Sequence, residues 1–176
     1  PELTLQGFDN VFRTCTIDPV QGEFAATAAK VDLDLGTAFV VDDSTPYGEG
    51  LVDEFVKAYE AEGGEVLGRE KTGDKDTDFT GLATKIKDAA PAAVYYGGIY
   101  NAGALFAKQL VEAGYECAFF SGDGVFAQDF IDLAGADNAE GMYCTSVGLP
   151  LDQQPRGAEF LEKFEVDESR VDSLKT

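Results

Sequence analysis

The 176-residue sequence contains no histidine. That removes the commonest general base and the commonest metal ligand together. Ser-His-Asp triads, Cys-His pairs and histidine-containing zinc sites are therefore excluded within the chain. Positive charge is scarce as well: 13 Lys and Arg stand against 33 Asp and Glu, a net charge of −20. Such a surface repels a phosphate backbone, which excludes nucleic acid as a partner, and it disfavours anionic membrane surfaces. The excess of carboxylates serves solubility, or else presents an acidic patch to a cationic ligand.

Long apolar runs are missing too. The longest, such as residues 92–96 and 117–120, are far too short to cross a bilayer, so no direct membrane insertion is expected. No charged-then-apolar segment opens the chain. Its first residues, Pro1-Glu2-Leu3-Thr4, read like the middle of a longer protein, consistent with a secretory leader that was removed or lies outside the sequence. The three cysteines, Cys15, Cys117 and Cys144, show no CxxC spacing. Each sits in an apolar or strand-like context, which favours buried free thiols over a disulfide with one thiol left over.

What the sequence does have is alternation. With 44% hydrophobic residues and a mean hydropathy of −0.14, the chain can bury the core of one domain. Residues 37–41 (Thr-Ala-Phe-Val-Val) form a short apolar run ending in Asp-Asp-Ser, the pattern of a strand buried on both faces. A helix follows over 46–62, with Leu51, Phe55 and Tyr59 at helical spacing and Gly63-Gly64 as its stop. Residues 65–69 make a more exposed strand. A helix carrying Phe79, Leu82 and Ile86 closes before Pro91, and 93–96 is a third strand ending in Gly97-Gly98. A helix over 101–113, a strand over 117–120, a short helix over 126–134 and a strand over 142–146 complete the series.

Strands and helices alternating at these lengths predict an α/β fold, doubly wound. The expected sheet is five-stranded and mostly parallel, ordered 2-1-3-4-5, with helices on both faces. Residues 11–16 read as an extra strand, and Asp18-Pro19 introduces a helix through Lys30. One more helix is expected over 158–164. The domain is bounded at 1–164, and the charged tail 165–176 is expected to be loosely ordered or docked at an edge.

Ligands of open parallel sheets bind beyond the carboxyl ends of the strands. In this chain the loops there carry Ser44, Tyr47, Tyr100, Asn101, Ser121 and Asp123. Three tempting patterns near them fail. Asp42-Asp43 resembles the acidic pair of a signalling receiver, which also needs an aspartate where this chain has Tyr96-Gly97-Gly98. Asp74-x-Asp76-x-Asp78 opens like a calcium loop, but Phe79 and Lys85 stand where glycine and glutamate are required, so Thr77 or Asp78 is expected to cap the next helix instead. The turns Gly97-Gly98 and Ser121-Gly122-Asp123-Gly124 match neither GxGxxG nor a P-loop. No catalytic group, metal site or cofactor site is assembled, and a lone Asp123 suits holding a cation better than moving a proton. The chain reads as a binding protein and not as an enzyme.

Several segments, taken in order, resemble the second lobe of the branched-chain amino-acid (Leu/Ile/Val) binding proteins, type I periplasmic binding proteins of ABC importers. They are Thr45-Pro46-Tyr47-Gly48-Glu49-Gly50-Leu51, then Asp74-Lys75-Asp76-Thr77-Asp78-Phe79-Thr80, then Val94-Tyr95-Tyr96-Gly97-Gly98, Gly122-Asp123-Gly124-Val125 and Ala139-Glu140-Gly141-Met142. Asn10–Thr14 and Val20-Gln21-Gly22 resemble the segment by which that family enters this lobe. The resemblance covers roughly 1–164, while the tail after Glu165 departs from the pattern. It implies a flavodoxin-like lobe that closes with a first lobe, expected before Pro1, around a free, aliphatic amino acid. It also implies a membrane permease as partner and a periplasmic or extracellular location. Tyr47 falls where the family has an aromatic wall. Asp123 takes the place of an acidic residue, usually glutamate, that receives the ligand's ammonium. Ile99, with Tyr100 beside it, stands where a stacking tyrosine is common. A signalling receiver or an extracellular sensory domain of the same fold is the alternative.

Overall fold

A computed structural model describes residues 4, 6–150 and 153–163. Five strands run β1 (Thr37–Asp42), β2 (Glu65–Lys71), β3 (Ala93–Gly97), β4 (Ala118–Ser121) and β5 (Tyr143–Cys144). They form one sheet in the order β2-β1-β3-β4-β5, and every neighbouring pair is parallel. The winding reverses between β1 and β3. The fold class and strand order expected from the alternation are those observed.

Parallel strands need crossovers, and helices supply them. The helices are α1 (Asp18–Thr27), α2 (Pro46–Ala61), α3 (Thr80–Ala89), α4 (Tyr100–Glu112), α5 (Gln128–Ala134), α6 (Ala136–Ala139) and α7 (Gly157–Lys163). Because successive strand side chains point to opposite faces, β1 and β3 split their apolar residues between two cores. Ala38, Val40, Ala93 and Tyr95 pack with Phe120 against α1 and α2, where Phe55 stacks on Tyr95 at 3.9 Å between ring centroids. Phe39, Val41, Val94, Tyr96 and Phe119 pack against α3, α4 and α5, with Phe106 of α4 at the centre of an aromatic group. The edge strand β2 alternates exposed and half-buried residues. Its Arg69 bonds the fully buried Asp42 of β1 at 3.1 and 3.3 Å, tying edge to centre.

Four expectations need correction. Residues 11–16 are not a strand: none of them joins the ladder of the five-stranded sheet, and Phe12 is 84% exposed. The cysteines are free, as expected, but Cys15 lies in that irregular stretch and is exposed, Cys144 is exposed on the edge strand β5, and only Cys117 is partly covered. The helix over 126–134 is shorter, since a 3-10 turn at Asp123–Val125 precedes α5. Strand β5 keeps two residues where five were expected. Helix α1 continues through a π turn at Ala28–Asp32. Phe164 and the tail 165–176 lie outside the described residues.

Candidate functional site

Parallel register brings the carboxyl ends of β1, β3, β4 and β5 level: Asp42 pairs with Gly97, Tyr96 with Ser121 and Ser121 with Cys144. The loops leaving those ends build the site. After β1, Ser44 takes a left-handed backbone (φ 59°), and Asp43 accepts from the Thr45 amide at 3.0 Å. Thr45 then caps α2, its hydroxyl accepting from Gly48 N–H at 3.0 Å, with Pro46 favouring the first helical position. This start places Tyr47 in the first turn, facing inward. Its hydroxyl donates to Asp123 Oδ1 at 3.0 Å and accepts from the Gly124 amide at 3.1 Å. Burial, and next the charge of Asp123, hold the Tyr47 phenol neutral well above its ordinary range.

Asp123 opens the 3-10 turn after β4. Its Oδ1 accepts two hydrogen bonds, from Tyr47 and from the Gln21 amide at 2.8 Å. Its Oδ2 accepts none from the described residues, and the residue is partly exposed. Gly122 makes this packing achievable. A Cβ there would meet Leu51 Cδ2 at 2.4 Å and the Tyr47 hydroxyl at 2.8 Å. The glycine is therefore a seat for Tyr47 and does not open the approach to Asp123.

Ile99 caps α4 from the loop after β3 and is 41% exposed. Its Cγ2 lies 3.2 Å from where a Gly124 Cβ would stand, so it borders the Asp123 turn. Tyr100 instead packs beside the core under α3 to α5. Of the four residues singled out from sequence, Tyr47, Ile99 and Asp123 are thus brought together, and Tyr100 packs on the core beside them.

Gln21 and Thr145 belong to the same group and were not anticipated. Gln21, only 4% exposed, accepts from the Asp123 amide at 3.1 Å and from the Thr145 hydroxyl at 2.5 Å. Gly22 is the one local signal. A Cβ there would meet Phe55 N at 2.7 Å, so the missing side chain lets α1 settle onto α2 and carries Gln21 inward.

In the segment Asp74–Asp78 two carboxylates are engaged by backbone amides. Asp76 accepts from the Gly73 amide at 2.7 Å, and Asp78 from the Thr80 amide at 3.1 Å, a bond that lowers its pKa. Asp78 therefore serves the start of α3, with Phe79 at the cap position. Among the described residues no group of three or more acidic or cysteine side chains is placed to hold a metal. An apolar cavity of ≈ 190 Å³ lies next to the site, behind the Asp123 turn, between Phe119, Val125, Phe126, Phe130, Met142 and Tyr143. It holds none of the site's polar groups.

A carboxylate, an aromatic ring and an aliphatic side chain meet at the switch point of an open parallel sheet, the place where doubly wound folds commonly bind ligands. Comparison with known proteins specifies the family. Residues 3–168 match the family model of the periplasmic binding proteins, and the chain belongs to that family. It is 34% identical over 164 residues to a Leu/Ile/Val-binding protein homolog 1 of Brucella melitensis, covering 93% of this chain and 44% of the relative. It is 32% identical over 166 residues to a leucine-, isoleucine-, valine-, threonine- and alanine-binding protein of Pseudomonas aeruginosa, covering 93% and 43%. The crystal structure of a leucine-binding protein of Thermotoga maritima matches with a TM-score of 0.85 at 29% identity, over 95% of this chain and 49% of that one. The chain thus spans less than half the length of the curated relatives it matches. Among the described residues no helix is long and apolar enough to cross a membrane.

Proposed function

We propose that this chain is the second lobe of a two-lobed solute-binding protein that holds a free aliphatic amino acid for an ABC importer. In this reading residues 1–164 form the lobe, the first lobe belongs to the same protein, a membrane permease receives the solute, and the location is periplasmic or extracellular. The observation that carries it is Asp123. One carboxylate oxygen is committed to Gln21 and Tyr47, and the other is open at the switch point. A ligand ammonium supplies the missing donor, while a solute bearing only a carboxylate would meet a like charge. Ile99, where the family commonly has a tyrosine, gives the ligand an aliphatic neighbour, and the Tyr47 ring stands as a wall with its hydroxyl already engaged. The names of the relatives point to the same solutes. The receiver alternative lacks support, since β3 ends in Tyr96-Gly97 and Asp42 is occupied by Arg69.

The test is Asp123→Asn in the protein carrying both lobes. Removing one partner of a desolvated, hydrogen-bonded charge pair costs about 2–5 kcal/mol, so L-leucine should bind roughly thirty-fold more weakly or worse. The fold should survive, because asparagine suits the same turn. A dissociation constant that moves less than about threefold in titration calorimetry removes Asp123 from the site.

A further inference from the structure

Asp123 stands between Gly122 and Gly124, and glycine is the residue type least able to hold a backbone or a neighbouring carboxylate in one orientation. Its aim must come from elsewhere. Tyr47 holds Oδ1 and the Gly124 amide. Gln21 holds Asp123 at two points at once: its Nε2 donates to Oδ1 at 2.8 Å, and its Oε1 accepts from the Asp123 amide at 3.1 Å. The Thr145 hydroxyl, donating to the same Oε1 at 2.5 Å, fixes Gln21 in turn. The amide orientation is set by this chemistry, because turning it over would set oxygen against carboxylate and NH2 against a backbone N–H. Three elements distant in sequence, namely α1, the turn after β4 and the end of β5, meet in one buried side chain.

We infer that Gln21 is a positioning residue for ammonium recognition: it clamps the main chain and side chain of Asp123 together so that Oδ2 alone faces the ligand. The inference rests on the proposed role of Asp123. Without the clamp, rotation of the carboxylate exchanges its two oxygens and spreads the acceptor over several directions, and an oriented ion pair becomes a loose one.

A double-mutant cycle separates this from a merely structural role, since residues acting through one another are not additive. Titration calorimetry with L-leucine is run on the two-lobed protein, on Gln21→Met, on Asp123→Asn and on the double variant. Gln21→Met should weaken leucine about tenfold when Asp123 is present and less than about threefold when it is asparagine. An equal factor in both backgrounds, or no loss in either, overturns the positioning role while a large Asp123→Asn effect leaves the proposed function standing. If Asp123→Asn alone is nearly silent, or the unaltered protein does not bind L-leucine, it is the proposed function that fails, and the inference falls with it. Should Gln21→Met not fold, Thr145→Val decides. It frees only the Gln21 carbonyl, and a loss of about threefold confined to the Asp123 background supports the clamp. No loss overturns it.

Discussion

At Gly122 the space a methyl group would take is already occupied by Leu51 and the Tyr47 hydroxyl, at 2.4 and 2.8 Å. Gly81, by contrast, sits near the start of α3 with no atom within 4 Å of its would-be Cβ. The same substitution should therefore act with opposite signs. Gly122→Ala overpacks a seated tyrosine and is expected to lower stability by about 1–3 kcal/mol. Gly81→Ala restricts only the unfolded chain and should raise stability by about 0.5 kcal/mol. Urea unfolding of the two variants checks this, and equal midpoints would remove Gly122 from its role. Residues were legible from sequence in proportion to how local their surroundings are. Asp123 announced itself because a carboxylate between glycines after an apolar run is unusual within seven letters. Gln21 did not, because a polar residue on a helix reads as solvated. Its burial depends on a turn 102 positions further on.

Strand β3 presents consecutive tyrosines to opposite faces of the sheet, Tyr95 into one core and Tyr96 into the other. Neither hydroxyl has a hydrogen-bond partner among the described residues. Burial raises both phenols above 10.0, their ordinary value, as it does Tyr47, and it pushes the Cys117 thiol from 9.0 up to about 11. All four groups hold their protons more tightly folded than unfolded. Their contribution is therefore whole below about pH 9 and is lost as pH rises toward and beyond 11. The urea midpoint should be flat between pH 7 and about pH 9 and fall steeply above it, and a midpoint unchanged near pH 11 would mean these side chains are not buried as described. The central strands were readable for the same reason that they are buried, since a run such as Phe39-Val40-Val41 belongs nowhere else. The edges were not. Val11–Thr16 has strand composition but joins no ladder, and β5 stops after two residues, because a strand exists only where a ladder does.

For the molecule as a whole, the proposed function makes the site one side of a cleft. In the 176-residue chain by itself the open oxygen of Asp123 faces water, where pairing with an ammonium is worth little. Titration of this chain alone with L-leucine should give no micromolar binding. Tight binding by the isolated chain would mean that one lobe encloses the ligand unaided. The clamp at Gln21 also has a consequence in time. Gln21 and its partner Thr145 are 124 positions apart. At a synthesis rate of about 5–20 residues per second, roughly 6–25 s separate the making of one from the making of the other. Throughout that interval Gln21 has no Thr145 to meet, and contacts so distant along the chain form late in folding as well. A ribosome-bound or partly folded chain therefore carries Asp123 with its clamp incomplete, and under the proposed function solute capture waits for the residues that follow β5.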